Sequence, residues 1–221
     1  MCFSGAVSAQ QATPEVSAQY RHINDNYQHP DVEVWVKRFE GEGREVYDYR
    51  NEIVAAIGLH AGQDVADVGA GTGLFEPLLA HQVGTGGTVY AVDIAPEFIE
   101  HIRKKAAQAG LSNVKAVLSD ERSIHLPDNS VDVVYICDAY HHFIYYREML
   151  QSIHRALRPG GQLFLVEYDK RPGVSSDWIL QHIRGTREQF SAEIEAGGFE
   201  PAGDINIDGL KDTFVRRFIK N

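Results

Sequence analysis

Residues 64–75 read Asp64-Val65-Ala66-Asp67-Val68-Gly69-Ala70-Gly71-Thr72-Gly73-Leu74-Phe75. The valine-rich start of this segment predicts a buried strand, because short apolar runs of this composition are typical of buried strands. The three alternating glycines predict a tight turn, since a glycine carries no Cβ atom. Apolar residues at helical spacing over 74–82 then predict a helix. The segment is therefore interpreted as a strand, a glycine-rich loop and a helix.

The spacing of the glycines indicates which ligand such a loop would receive. At the carboxyl end of a first parallel strand, an open α/β sheet binds nucleotide-like ligands. In a dinucleotide fingerprint the third glycine lies three residues after the second, and here that position is Leu74. Asp67 instead lies two residues before the first glycine. A carboxylate adds nothing to a phosphate site, whereas it would attract a ligand with a cationic amino group.

The pattern Asp67-x-Gly69-x-Gly71-x-Gly73 after an apolar strand resembles the first motif of the class I S-adenosylmethionine-dependent methyltransferases. In that family the glycine turn lets the backbone approach the methionine and ribose portions of the cofactor. The acid binds the methionine end, directly or through water. Taken alone, the motif also fits an ordinary strand-to-helix turn that binds nothing. The later motifs of the chain favour the resemblance.

Asp93 is predicted to bind the ribose. It lies near the end of a β-branched strand over 88–94, about twenty residues beyond the glycine turn, where a carboxylate reaches a ribose hydroxyl pair. Two hydroxyl donors to one carboxylate form charge-assisted hydrogen bonds. The alternative is that Asp93 caps the helix predicted over 96–109, but capping does not explain its distance from the glycines.

The next strands extend the resemblance. In the family an acid after the third strand, here 114–118, binds the adenine amino group, which implies Asp120, with the adjacent Glu121 as a competitor. The Leu-Pro...Asp pattern before the fourth strand, 131–137, also recurs in the family, as does the Leu-x-Pro-Gly-Gly turn over 157–161. The cofactor-binding residues expected for S-adenosyl-L-methionine, with S-adenosyl-L-homocysteine as product, are Asp67, Gly69, Ala70, Gly71, Gly73, Asp93, Ile94, Asp120, Glu121 and Asp138.

Candidate catalytic residues follow the fourth strand. Loops after strand ends carry the chemistry of open α/β sheets, and this loop contains Tyr140, His141 and His142. Imidazole accepts a proton near neutral pH, so His141 or His142 is a candidate general base, with Tyr140 as a hydrogen-bonding alternative. Many relatives also have a double histidine here without an agreed role. Packing of the rings therefore stays an open interpretation.

The remaining pattern predicts a helix over 147–157, a strand over 162–168, a helix over 176–196 and a last strand over 213–220. The fold implied is α/β: a Rossmann-like three-layer sandwich with a mostly parallel seven-stranded sheet, an antiparallel last strand and N-terminal capping helices. The resemblance covers about 54–220 and is greatest to the branch with the quinone-biosynthesis methyltransferases. The predicted division is a flexible segment over 1–29, helices over the site at 30–60 and a methyltransferase domain over 61–221.

Composition excludes several functions. The chain has 221 residues and a net charge of -10, and no basic run is present, which argues against a nucleic acid as main partner. Its two cysteines and ten histidines have no metal-ligand spacing, so no metal site is predicted, and no apolar segment is long enough to span a membrane. Residues 2–9 resemble the end of a secretory signal or are a disordered tail, which leaves a cytoplasmic or an exported protein.

The function predicted is in-line transfer of a methyl group from S-adenosylmethionine to a small molecule. A protein that binds the cofactor without turnover is the alternative. A nicotinamide-dependent reductase is disfavoured because the third glycine is not at the position that the dinucleotide fingerprint requires, and because the sequence contains no Tyr-x-x-x-Lys motif. An arsenic-methylating enzyme is discounted because only Cys137 lies in the predicted sheet. The acceptor atom and the oligomeric state are not predicted from the sequence.

Overall fold

The computed structural model describes residues 16–221. It contains seven strands and eight α-helices in this part of the chain. In chain order they are α1 Val32–Phe39, α2 Glu45–Asp48, α3 Arg50–Ile57, β1 Val65–Val68, α4 Glu76–Val83, β2 Val89–Asp93, α5 Pro96–Gln108, β3 Val114–Leu118, β4 Val131–Cys137, α6 Tyr146–Ala156, β5 Leu157–Tyr168, α7 Asp177–His182, α8 Arg187–Ala196, β6 Phe199–Ile205 and β7 Thr213–Lys220.

The strands form one sheet in the order β3-β2-β1-β4-β5-β7-β6. β1 to β5 pair in parallel, and β7 is antiparallel to both of its neighbours, β5 and β6. The predicted fold class is confirmed. The order reverses at β1, which pairs with β2 on one side and β4 on the other. A crevice at the carboxyl ends of strands beside such a reversal is where open α/β sheets bind ligands.

Helices cover both faces of the sheet. Along β4 the side chains alternate, so that Val133 and Tyr135 pack with α3 and α4, whereas Val134 and Ile136 pack with α6, α7 and α8. α5 lies on the α4 face, where Ile102 contacts the small residues of the neighbouring strands. These two buried layers explain why the central strands are apolar runs rather than alternating patterns.

The helix predicted over 176–196 is interrupted. α7 ends at His182, and α8 begins after Thr186, whose side chain forms a capping box with Gln189. Gly185 lies between them, and a Cβ atom there would come within 2.7 Å of the Phe190 ring. Helical spacing alone misses the break, because apolar residues on both sides of it face the same core. The helical segment predicted before the first strand likewise divides, at Tyr49, into α2 and α3.

α1 lies beside the start of α5, whereas α3 packs on a face of the sheet. α1 begins at the cap residue Asp31, whose carboxylate accepts hydrogen bonds from two backbone amides of the first turn. Trp35 of α1 packs on Ala95 and Phe98 at the start of α5. The predicted domain limits stay a prediction, and the proposed signal remnant at 2–9 lies outside the described residues. None of the helices described is both long and apolar enough to cross a membrane.

Candidate functional site

A cavity opens where β1, β2 and β4 end. Its space, together with its open mouth, has a volume of about 940 Å³. Its walls come from the glycine loop, the loops after β2, β3 and β4, and the N-terminal segment. The predicted cofactor residues that line it are Asp67, Gly69, Ala70, Gly71, Asp93, Ile94, Glu121 and Asp138.

The glycine loop needs its glycines for two reasons. Gly69, Gly71 and Gly73 all have positive φ angles, which side-chain-bearing residues adopt only with strain. At Gly69 a Cβ atom would also lie 2.4 Å from the Cβ atom of Ala139, in the loop after β4. Gly73 is outside the cavity lining and faces Ile102 beneath the loop. Two of the glycines therefore border the cavity, and the third allows the loop to pack on α5.

Asp93 connects the glycine loop to the start of α5. Its Oδ2 accepts a hydrogen bond from the amide of Gly71 at 2.8 Å, and its Oδ1 accepts one from the amide of Ala95 at 2.9 Å. It does not cap α5 in the usual way, because the cap position belongs to Ala95. Burial raises the pKa of Asp93, while these backbone hydrogen bonds oppose the shift.

Asp67 has a buried acidic neighbour that sequence reasoning missed. Glu76, on the first turn of α4, is 2% exposed, as is Asp67, and neither Glu76 carboxylate oxygen has a hydrogen-bond partner among the described residues. Burial raises the pKa of Glu76 to about 7 and that of Asp67 well above its usual range, and repulsion from Glu76 adds to the shift of Asp67. A glutamate in the first turn of a helix is common, so the sequence position of Glu76 did not indicate that it is buried beside Asp67.

After β3 the cavity is lined by Ser119 and Glu121 rather than by Asp120. Asp120 instead closes a turn, because its Oδ1 accepts hydrogen bonds from the amides of Arg122 and Ser123 at 2.8 Å each. Its side chain is 55% exposed and pairs with His125. The short side chain of an aspartate is well suited to such a turn. Asp120 is therefore absent from the cavity lining, which includes its neighbours Ser119 and Glu121.

The loop after β4 carries the candidate catalytic residues in a short 3-10 turn, Tyr140–His142. The Tyr140 hydroxyl donates to Glu193 on α8 at 3.1 Å, away from the cavity lining. His141 is buried, and its Nδ1 lies 2.8 Å from Oε2 of Glu167. His142 is the one of the three that lines the cavity. A base role for these residues stays a prediction, and burial lowers the pKa of both histidines well below the usual range.

The N-terminal segment contributes side chains that sequence reasoning did not assign. Arg44 forms an ion pair with Asp138 at 2.6 Å, and burial raises the pKa of Asp138 to about 7 although Arg44 lowers it. Asn24 donates to Glu121 at 2.9 Å. Glu40 accepts hydrogen bonds from Thr72 of the glycine loop and from Lys105 of α5. No local motif marks these residues, because each partner is distant in sequence.

Comparisons with known proteins agree with this architecture. A family model described as "Methyltransferase domain" matches residues 66–165. A demethylmenaquinone methyltransferase of Listeria monocytogenes is 29% identical over 54% of this chain and 50% of its own length. The ubiquinone/menaquinone biosynthesis C-methyltransferase UbiE of Pseudomonas fluorescens is 30% identical over 70% of this chain and 56% of its own. The chain thus spans about half the length of these curated relatives.

Solved structures show the same fold. A SAM-dependent methyltransferase from Aquifex aeolicus has a TM-score of 0.75 at 25% identity, covering 85% of this chain and 98% of that one. Phosphoethanolamine N-methyltransferase 2 of Haemonchus contortus, in complex with S-adenosyl-L-methionine, has a TM-score of 0.67 at 21% identity, covering 85% of this chain and 46% of that one. In its glycine motif, its strand order and the domain matched over residues 66–165, this chain is similar to the class I methyltransferases.

Proposed function

We propose that this chain transfers a methyl group from S-adenosylmethionine to a small-molecule acceptor. The main support for this proposal is the environment of Asp67. Its side chain is buried in the cavity wall and forms no ion pair with a basic side chain of residues 16–221. A buried carboxylate without a cation is unfavourable. The cavity therefore fits a ligand that brings a positive amino group to this wall.

The other cavity residues suit the rest of such a cofactor. Backbone amides of the glycine loop border the cavity beside Asp67, and the Asp93 carboxylate, fixed by two amides, is available for the ribose hydroxyls. Ser119 and Glu121 form the wall expected for adenine. When bound, S-adenosylmethionine supplies a sulfonium methyl group that is already activated for transfer.

The cavity wall includes apolar and aromatic side chains. Tyr27, Phe39, Phe143 and Met149 line the cavity, so a flat and largely apolar acceptor would bury its surface against such side chains. The quinone methyltransferases among the relatives support the same class of acceptor. These residues would hold the acceptor in line with the methyl group and exclude water, which alone lowers the barrier by several kcal/mol, so transfer needs no covalent intermediate.

Calorimetric titration with S-adenosylmethionine and S-adenosylhomocysteine tests cofactor binding. The wild-type protein should bind both with micromolar affinity. Asp67→Asn keeps the shape but removes the charge, and we expect a loss of about tenfold or more, equal to ~1.4 kcal/mol. Asp128→Asn, an exposed position outside the cavity, is the matched control and should bind like wild type.

Turnover is then tested with a radiolabelled methyl group and a panel of hydroxylated, amino and quinol acceptors. Transfer to at least one acceptor, lost in Asp67→Asn at low cofactor concentration, is the expected result. Tight cofactor binding without transfer to any acceptor would favour the cofactor-binding alternative. If the wild-type protein binds neither cofactor form, the proposal is wrong.

A further inference from the structure

Three histidine rings meet beside the acceptor end of the cavity. His141 and His142 come from the turn after β4, and His182 is the last residue of α7. One ring nitrogen from each lies within 4.8 Å of the other two. The ring centroids of His141 and His142 are 4.2 Å apart, and those of His182 lie 5.1 and 5.5 Å from them. No sequence motif predicts this cluster, because forty residues separate its two parts.

The outer nitrogens of two rings are held by acceptors. Oε2 of the fully buried Glu167 lies 2.8 Å from His141 Nδ1, and the ionised carboxylate accepts a hydrogen bond from the Nδ1–H group. His142 Nδ1 lies 3.1 Å from Oδ1 of Asn24, whose amide nitrogen already donates to Glu121. Both Nδ1 atoms therefore carry the proton, which leaves a lone pair on each Nε2. Carboxylates and amides hold metal-binding histidines in the same way in known metal sites.

His182 is the histidine of the cluster whose ring is least constrained by hydrogen bonds. Its half-buried ring stacks on Trp178 with centroids 4.8 Å apart and makes no hydrogen bond among the described residues. Nitrogens on one tetrahedral zinc ion lie about 3.3 Å apart, so the rings must approach by up to ~1.5 Å. The position of His182 at the end of a six-residue helix, beside the break before α8, allows that movement.

The charges around the cluster permit a cation. Arg184 is a basic side chain that acts on both His141 and His142, and it is neutralised by a bidentate ion pair with Glu193, at 2.8 Å for each contact. Arg38 acts on His182. Arg44 is paired with Asp138. Glu167 contributes a carboxylate directly behind His141.

We propose that His141, His142 and His182 bind one divalent transition-metal ion, of the kind that imidazole nitrogens prefer, such as Zn²⁺. Three protein ligands with a further open position are typical of catalytic rather than structural zinc sites. His142 lines the cavity, so the open position faces it. A consequence that rests on the proposed methyltransferase function is that the ion binds a hydroxyl or enol oxygen of the acceptor and lowers its pKa. The proton then passes to solvent water before the acceptor forms its bond to the methyl carbon and the carbon–sulfur bond of the cofactor breaks.

This site and a histidine base exclude one another. A general base would use the same Nε2 lone pair of His142 that the metal ion would occupy. The proposal therefore replaces the base predicted from sequence with an ion that lowers the proton affinity of the acceptor itself. The metal site also explains why Glu167 is buried behind His141, whereas histidine rings that only packed together would need no buried carboxyl group.

The test is metal binding by the full chain, purified without a histidine tag, treated with chelator and dialysed, with no cofactor added. Calorimetry with Zn²⁺ should show one ion per chain with micromolar affinity or tighter, and Co²⁺ should give the intense visible absorption of a tetrahedral site. His182→Ala should lose the cobalt spectrum and at least tenfold in zinc affinity. Glu167→Gln should bind zinc about 10- to 100-fold more weakly, because a neutral amide oxygen is a weaker acceptor for His141 than a carboxylate.

His60→Ala is the matched control, since His60 is exposed and lies outside the cluster. It should bind zinc and cobalt like wild type, and circular dichroism should show that every variant is folded. A wild-type protein that binds no Zn²⁺, or a His182→Ala variant that binds as tightly as wild type, would overturn the proposal. Either result leaves cofactor binding unaffected, so failure here is distinct from failure of the proposed function.

Discussion

The two ends of the cavity are constructed differently. At the cofactor end the backbone is the main element: three glycines have positive φ angles, the amides of Gly69 and Ala70 donate to the carbonyl oxygen of Val92, and the amide of Gly71 donates to Asp93. Beside the loop after β4, which we assign to the acceptor end, side chains from distant segments meet in pairs, such as Arg44 with Asp138 and His141 with Glu167. We therefore expect one end to be rigid and to depend on shape, and the other to depend on charge and to open more easily.

The largest effect is expected at the rigid end, from Gly69→Ala. The new Cβ atom would lie 2.4 Å from that of Ala139, and the φ angle of +84° adds backbone strain. We expect the close contact and the backbone strain together to lower the free energy of unfolding by about 2 to 5 kcal/mol. Denaturant unfolding measures the change. Gly58→Ala is the control, because its φ angle is +68° but a Cβ atom there meets nothing within 4 Å. Equal losses in the two variants would show that the close contact with Ala139 is unimportant.

The second prediction concerns the opposite end. Arg44→Met leaves the Asp138 carboxylate buried without its cation, and we expect a loss of about 2 to 3 kcal/mol in the free energy of unfolding. The loss is limited because Asp138 can take up a proton, its pKa being about 7. Chemical denaturation at pH 7 gives the value.

Arg158→Met provides the comparison for this prediction. The Arg158 side chain is 37% exposed, against 20% for Arg44, and it pairs with Asp64 and Asp132 at the surface. Exposed ion pairs contribute about 0 to 1 kcal/mol, so this variant should lose less. A larger loss from Arg158→Met would contradict the view that the acceptor end depends on a buried pair.

These two ends also differ in how well the sequence predicts them. β4 has the bounds that its apolar run predicts, because buried parallel strands are continuous apolar segments between turns. β3 also has its predicted bounds, although it is a partly exposed strand at the edge of the sheet. The acidic residues that face the cavity were harder to predict from the sequence. Asp120 and Glu121 are adjacent, and which one enters the cavity depends on a turn that Asp120 closes with later amides.

Residues that act through distant partners gave no signal at all. Asn24 contacts Glu121 and His142, which are about a hundred residues away, and His182 reaches the histidine pair only because α7 ends where it does. A single sequence records local spacing, whereas these contacts depend on how the loops fold over the sheet. Glu76 was missed for a different reason, since nothing in its local pattern indicates that it is buried beside Asp67.

The third prediction uses Glu76 to test how the rigid end responds to pH. Burial raises the pKa of Glu76 from 4.5 to about 7 in the folded state. Between these values the folded protein binds more protons than the unfolded chain, so stability is greatest below pH 4.5 and falls as the pH rises to 7. Glu76→Gln should remove this loss and raise the free energy of unfolding at pH 8, relative to wild type, by on the order of 2 kcal/mol.

Urea unfolding at pH 5 and pH 8 would measure this dependence. The matched control is Glu148→Gln, whose half-exposed carboxylate pairs with Arg122 and should show no comparable change. The groups that face Glu76 are Asp67 on β1, Asp93 on β2 and Lys105 on α5. If Glu76→Gln has the same pH dependence as wild type, the carboxyl is already ionised in the folded protein, and Asp67 holds the shared proton instead.

The smallest effect is expected where the two ends are joined. Glu40 follows α1 and accepts hydrogen bonds from Thr72 of the glycine loop at 2.8 Å and from Lys105 of α5 at 2.9 Å. Glu40→Gln keeps a hydrogen-bonding oxygen but loses the ion pair, which is partly exposed, so global stability should fall by only about 0.5 to 1 kcal/mol. The local effect is the informative one, because this contact holds the N-terminal segment over a rigid loop. Hydrogen exchange of amides over 32–40 should become faster, while exchange in β1 and β2 stays at the wild-type rate. If exchange in β1 rises equally, the segment and the sheet open as one unit, and the acceptor end is as rigid as the cofactor end.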